Sequence, residues 1–341
     1  MPFYDSFPSE LRRLFQAAAL NEDSLEELRL RIGQPLALRY KSREYGITGA
    51  GRLTEDLTKS VRIGSAQLEA VLEALSGCSL YAFSEETRQG FFTIPGGHRV
   101  GIAGKAVLEN GKVRCIRNIS FLNLRFSHEK KGCASGILPY LFEHGQLCDT
   151  LLIGPPRCGK TTLLRDLIRQ LSTGSAFHPG MTVGVVDERS EIGGAYLGIP
   201  QNDLGPRTDL LDGCRKSEGM LMLLRAMAPD VIAADELGSQ EDRYAIESVF
   251  HCGCHLIATA HGVSPDGNDS SPLLRALLEQ RLFQRLVLLS GRPYPGTVIR
   301  ISDADGRFLN ADDKTTAFMK YHKECSFAES RKPASKKLSL F

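Results

Sequence analysis

"LLIGPPRCGKTTLLRDL", residues Leu151 to Leu167, sets three apolar residues ahead of a glycine-proline turn and follows the turn with a lysine and two threonines. Its centre, Gly154-Pro155-Pro156-Arg157-Cys158-Gly159-Lys160-Thr161, fits the P-loop pattern G-x-x-x-x-G-K-T, with an apolar strand before it and an amphipathic helix after it. The spacing has a physical purpose. Glycines let the backbone curl until its N–H groups converge, and the following helix presents its positive end. The lysine reaches the β and γ phosphates, and the threonine hydroxyl ligates a magnesium ion. Gly154 to Thr162 is therefore expected to cradle ATP, with Thr161 on Mg2+.

A phosphate cradle becomes a hydrolase only when a carboxylate on a neighbouring strand holds the magnesium shell and another orients water. "DVIAADELG" supplies both: Val231 to Ala234 carry Asp235 to the carboxyl end of a buried strand, where it serves the metal, and Glu236 beside it is placed to polarise the attacking water. Two further strands end in chemistry. "VGVVDERSEIGG" ends in Asp187 and Glu188, and "LIATAHG" in Thr259 and His261. All are expected on the carboxyl edge of one sheet, where doubly wound folds bind ligand. A histidine there can sense the γ-phosphate.

Working outward, the texture after "SHEKKGCASG" is one of short apolar strands, each followed by a turn and a helix: "DTLLIG", "TVGVVD", "DVIAAD", "HLIATA" and "RLVLLS". That beat predicts an α/β, RecA-like domain over residues 131–305 with a mostly parallel sheet covered on both faces. The preceding 130 residues read as a smaller α+β domain. Helical spacing runs over Ser9–Leu20 and Ser24–Leu30, "ELRLRIGQPLALRY" moves into the shorter alternation that suits strands, a helix N-capped by Ser65 follows, and hairpins are signalled at Gly96-Gly97 and Asn110-Gly111. Residues 306–341 carry eight basic and four acidic side chains with no core-forming period, the composition of a mobile basic tail.

The bulk numbers exclude several classes. With 42 basic and 40 acidic residues the formal charge is +2, so no global footprint for nucleic acid is present. Nine cysteines without framework spacing in 341 residues suit reduced thiols in the cytoplasm, and neither a signal peptide nor an apolar run of membrane-spanning length is found. "HCGCH", His251 to His255, leads into a strand whose side chains alternate faces, so its four potential ligands are not expected to converge on zinc. Cys158 sits at a helix N-terminus, a setting that lowers a thiol pKa; it is read either as a reactive thiol or as a small side chain filling the loop.

The order of the P-loop, "VVDERSEI", "RTDLLDGCRKSEGMLMLLRAMAPDVIAADELG" and "ATAHG", together with "ELRLRIGQPLAL" and "GGHRVGIAG", closely resembles the stage III sporulation protein AA family, over roughly Leu25 to Ser302. The stretch 205–238 discriminates most, since P-loops alone fit many proteins. The resemblance implies an ATPase related to type II and type IV secretion ATPases, working as a homohexamer. It also implies docking on the cytosolic face of membrane proteins of the mother cell–forespore channel, with no nucleic acid involved. It makes Asp187 and Glu188 the acidic box, in the reverse order to the Glu-Asp of secretion ATPases, and His261 the histidine box. Arg99, Arg125 and Arg207 become candidates for the guanidinium that reaches the γ-phosphate from the N-terminal domain or a neighbouring subunit. A nucleic-acid-dependent ATPase and a nucleotide-gated scaffold with little turnover are the alternatives.

Overall fold

The computed structural model of the chain describes residues 3–77, 87–88, 90–175, 178–262 and 272–309. The segment expected to be a basic tail lies outside them from residue 310. The chain divides into two compact units, Met1–Glu129 with Gly193–Asn202, and Lys130–Ile192 with Asp203–Phe341.

Among the described residues, the first unit contains a seven-stranded antiparallel sheet on which two helices pack. Its strands are β1 (Leu25–Arg31), β2 (Ala37–Tyr40), β3 (Arg43–Ile47), β4 (Leu53–Thr54), β5 (Phe91–Ile94), β6 (His98–Glu109) and β7 (Lys112–Arg125), in the order β4-β3-β2-β1-β7-β6-β5. Helices α1 (Ser9–Ala18) and α2 (Ser65–Leu75) bury Leu11 and Phe15, and Leu68, Val71, Leu72 and Leu75, against Leu28, Leu30, Val100 and Leu124 of the sheet. Two expectations need correcting. Ser65 is the first helical residue rather than the cap, and Gly64 N–H donates to the Gln67 side chain at 2.9 Å. Leu25–Arg31 is a strand and not a helix: a register shift between Leu25 and Glu27 moves the alternation by one residue. The buried Leu25 and Leu28 thereby acquire a spacing that imitates a helical turn. Both hairpin signals correspond to turns, with Asn110 and Gly111 at φ 52° and 74°.

The second unit opens with a small ribbon, β8 (Phe142–Glu143) and β9 (Gln146–Leu147). It then forms β10 (Thr150–Gly154), β11 (Val183–Asp187), β12 (Thr208–Asp212), β13 (Val231–Leu237), β14 (His255–His261), β15 (Arg285–Ser290) and β16 (Thr297–Asp303). The order is β12-β11-β13-β14-β10-β15-β16, parallel except for the antiparallel β15–β16 edge. All five expected strands are present, and the two missed ones are edges. Every residue of β12 is only half-buried, so it lacks the continuous apolar run that marks a central parallel strand.

Alternation sends the two faces of these strands to two cores. Leu152, Val185, Ala233, Ile257 and Val287 pack under α3 (Lys160–Thr173), which contributes Leu163, Leu164, Leu167, Ile168 and Leu171. Leu151, Ile153, Val186, Ala234 and Ala258 pack under α4 (Lys216–Met227), α5 (Gln240–His251) and α6 (Pro272–Glu279). Helix α3 is thus fixed along its whole apolar stripe, which sets where its N-terminus points.

The segment 193–202 returns to the first unit, where Tyr196 packs on that core and Gln201 Oε1 accepts from Gly96 N–H at 3.1 Å. Sequence alone assigns it to the RecA-like domain, because it interrupts no strand there. Among the described residues no helix is long and apolar enough to cross a membrane.

Asp166, 4% exposed on α3, holds the start of the second unit: it accepts from Gly132 N–H at 3.0 Å and Ala134 N–H at 2.8 Å and pairs with Arg169 at 2.7 Å. Asp166→Ala strands two buried amides and a guanidinium, so unfolding in urea should show a loss of about 3 kcal/mol. A loss below about 1 kcal/mol, the level of an exposed pair, would mean that the anchor is dispensable.

Candidate nucleotide site

Strand β10 delivers Gly154 to the sheet edge, and the loop Pro155 to Gly159 turns straight into α3. Two glycines are required by geometry. Gly159 has φ 94°, and a Cβ there would lie 2.8 Å from Gly296 N; a Cβ on Gly154 would lie 2.6 Å from the Cys158 sulfur. Arg157 also takes a left-handed φ of 61°, bending the loop between Pro156 and Cys158. The N-cap Gly159 has no side chain to cap α3, a helix start suited to an external anionic acceptor.

Lys160 is 5% exposed, and its ammonium donates to Gly154 O and Pro155 O at 3.0 Å each and to His261 Nδ1 at 3.2 Å. Three protons meet three acceptors. Thr161 Oγ1 donates to Asp235 Oδ2 at 2.5 Å, while Asp235 Oδ1 accepts from the Thr259 hydroxyl. The P-loop and the acidic strand are therefore joined by a direct side-chain bond, although β14 lies between β10 and β13. Thr162 presents its carbonyl to the Cys133 thiol at 3.8 Å, on the side of the helix away from these contacts.

The acidic pair is aimed by a bulge. The β13–β14 register runs to Ala234↔Ala258 and resumes at Leu237↔Ala260, so Asp235 and Glu236 together oppose Thr259. Glu236 takes φ 55°, a strained conformation for a long side chain, held by its N–H donating to Thr259 Oγ1 at 2.8 Å. Its carboxylate meets His261 Nε2 at 3.1 Å through Oε1 and Arg189 Nη1 at 2.8 Å through Oε2. His261 is opposite Gly154 in the β10–β14 register, which is why a residue far along the chain reaches the loop lysine.

The acidic-box residues do different work. Asp187, 2% exposed, accepts from Glu191 N–H at 2.8 Å and Ile192 N–H at 2.9 Å and so shapes the loop after β11. Glu188 is ion-paired with Lys216 at the start of α4. Arg207 donates to Ser172 O at 2.8 Å at the far end of α3. That end is about 20 Å from Lys160 by helix rise, so within its own subunit Arg207 caps α3 and does not reach the loop. Arg99 and Arg125 face each other across β6 and β7 in the first unit, with the Arg99 guanidinium 3.3 Å from the Phe91 ring centroid. Sequence reading missed Arg189. Its position directly after the acidic box was the available signal, but nothing local says that a loop arginine folds onto Glu236.

A profile described as "Sporulation stage III, protein AA" matches residues 3–309. The chain belongs to that family. The stage III sporulation protein AA of Bacillus subtilis (strain 168) is 43% identical over 286 residues, 84% of this chain and 89% of that one. The protein SEEDLING PLASTID DEVELOPMENT 1 of Arabidopsis thaliana is 29% identical over 58% of this chain and 26% of its own length. Among solved structures, the ATPase DotB of Legionella pneumophila superposes with TM-score 0.52 at 16% identity, covering 83% of this chain and 76% of that one. The pilus retraction motor PilT superposes with TM-score 0.52 at 13% identity, covering 94% and 89%. At such identities the likeness shows the fold alone, an α/β fold shared with these two proteins.

Cys158 is 1% exposed behind the loop, and burial pushes its thiol up rather than down, which corrects the reactive-thiol reading. Burial likewise raises Cys133 and Cys254 to about 12. Thiolate is the reactive form, so these thiols stay inert from neutral pH until the solution approaches their raised values. Brief iodoacetamide treatment near neutral pH, read by mass spectrometry, should label the exposed Cys252 and spare Cys158, Cys133 and Cys254. Early labelling of Cys158 would restore the redox reading.

Proposed function

We propose that the chain hydrolyses ATP, and that the bond between Thr161 and Asp235 is the observation that carries the reading. A hydroxyl and a carboxylate in contact at 2.5 Å, beside a helix N-terminus and a buried lysine, form a hard-oxygen donor pair of the kind magnesium takes with phosphate. The residues present therefore fit Mg2+, with Thr161 as ligand and Asp235 holding its shell. When bound, the ion neutralises charge on the phosphate oxygens.

The chain's own residues supply the rest. The backbone N–H groups of the loop after Pro156, from Arg157 to Thr162, hold the phosphates, and Lys160 exchanges Gly154 O and Pro155 O for phosphate oxygens. Glu236 orients the attacking water and takes its proton, which calls for a carboxylate within hydrogen-bond reach of that water. His261 reports the γ-phosphate to Glu236. Stabilisation of the transferred phosphoryl needs a guanidinium, and Arg99, Arg125 or Arg207 of an adjoining subunit would supply it in a homohexamer.

Family membership supports the biological role: a cytoplasmic motor of the secretion-ATPase type, peripheral to the membrane. It would power assembly of, or transport through, the channel linking mother cell and forespore by docking on the cytosolic face of that channel's membrane proteins. A formal charge of +2 disfavours a nucleic-acid-dependent enzyme.

Glu236→Gln should keep ATP uptake, measured by calorimetry, and lower phosphate release by about 10²-fold or more. Lys160→Ala should abolish uptake itself. Unchanged phosphate release from the first variant removes Glu236 from the role, and full uptake by the second removes the cradle.

A further inference from the structure

Proposed turnover depends on Glu236, and both oxygens of its carboxylate are already engaged. Oε2 accepts from Arg189 Nη1 at 2.8 Å, and Oε1 lies 3.1 Å from His261 Nε2. The direction of the second contact follows from Lys160. An ammonium only donates, so its contact with His261 Nδ1 at 3.2 Å makes that nitrogen the acceptor. The neutral ring then carries its proton on Nε2 and donates it to Glu236. Lys160, His261 and Glu236 form one directed chain of hydrogen bonds, with Arg189 closing the far side. The backbone of Glu236 is pinned through its N–H to Thr259, so any rearrangement is one of the side chain alone.

A general base must turn a free lone pair towards water. Here each oxygen already accepts one bond from the protein's own donors, which fixes the direction in which the carboxylate's remaining lone pairs point. We propose that Arg189, with His261, latches Glu236 in a resting position, and that the γ-phosphate releases the latch by drawing Lys160 away from His261. The proposal rests on the ATPase reading of the same site. Once Lys160 donates to phosphate, His261 Nδ1 has lost the donor that fixed its tautomer, and the Nε2–H hold on Glu236 becomes conditional on nucleotide. Arg189 suits the other half of the latch: its side chain is 61% exposed and its partner's 28%, so the pair is screened by solvent and opens at little cost. Arg189 is a positioning residue, acting on the water only through Glu236. In this arrangement the nucleotide-free enzyme holds its base in the resting orientation; phosphate frees the histidine half, and the arginine half opens on its own with only the small cost of an exposed ion pair.

Steady-state ATP turnover of the full chain tests the latch, with wild type compared with Arg189→Ala and Arg189→Lys at equal, dilute protein concentration. The alanine variant should raise kcat about fivefold, the population factor that an exposed ion pair commands, and leave KM for ATP unchanged. The lysine variant, which retains the cation, should return kcat towards wild type. A merely structural arginine would instead lower the melting temperature without separating kcat from KM. Histidine-selective 15N spectra supply a second measurement: without nucleotide His261 should be the Nε2-protonated tautomer, and a non-hydrolysable ATP analogue should relax that assignment. A kcat at or below wild type in Arg189→Ala overturns the proposal, as does an Nδ1-protonated His261 in the free protein. Absence of ATP uptake by wild type would overturn the ATPase reading itself and the latch with it, a result distinct from active wild type with an inert Arg189→Ala.

Discussion

A lysine ammonium only 5% exposed is tolerable because each of its three protons has an acceptor, and the arrangement of this site follows from meeting that demand. Two acceptors are carbonyls of the loop itself, which fixes the loop's curl without ligand. The third is an imidazole from another strand, which joins the loop to the Glu236 carboxylate. A buried cation short of one partner would cost several kcal/mol. The order of strands β10, β14 and β13 is therefore an electrostatic requirement as well as a topological one: the strand between the phosphate loop and the acids brings the histidine that completes the lysine.

The same intervening strand explains how Asp235 and Glu236, adjacent in sequence, do different chemistry. In a regular strand they would face opposite sides of the sheet. The bulge opposite Thr259 lets one threonine bind Asp235 through its hydroxyl proton and Glu236 through its oxygen, so both carboxylates stay on the ligand edge. Strain at Glu236, φ 55°, is the cost of that placement, and the bond to Thr259 is what sustains it.

Much of this was legible in the sequence, because the phosphate loop and the buried parallel strands are local signals. Gly159 must be glycine wherever a left-handed residue opens a helix, and Val231–Ala234 spell a buried strand in four letters. What was not legible depended on pairing. The register shift in β1 disguised a strand as a helix, and the half-buried edge β12 had no apolar run to announce it. The Arg189–Glu236 contact joins residues separated by 47 positions through the neighbouring of β11 and β13, and no window along the chain contains that information. Cys158 was open between two readings along the chain: a helix N-terminus lowers a thiol's pKa only if the sulfur is solvated, and packing behind Gly154 decides for the small side chain that fills the loop.

Helix α3 carries a further consequence of its burial. The chain passes between the two units three times, and each passage is fastened to this one helix within the second unit. Asp166 holds Gly132 and Ala134 just after the first passage. Arg165 donates to Glu191 O at 2.5 Å and Ile192 O at 2.7 Å just before the second. Ser172 Oγ accepts from Arg207 N–H at 2.7 Å, and Ser172 O accepts from its guanidinium, shortly after the third. The helix that follows the loop Gly154 to Gly159 is thus also the helix on which the chain is held next to each of its three crossings between the units. Its apolar stripe resists bending because Leu163, Leu164, Leu167, Ile168 and Leu171 are all packed in one core.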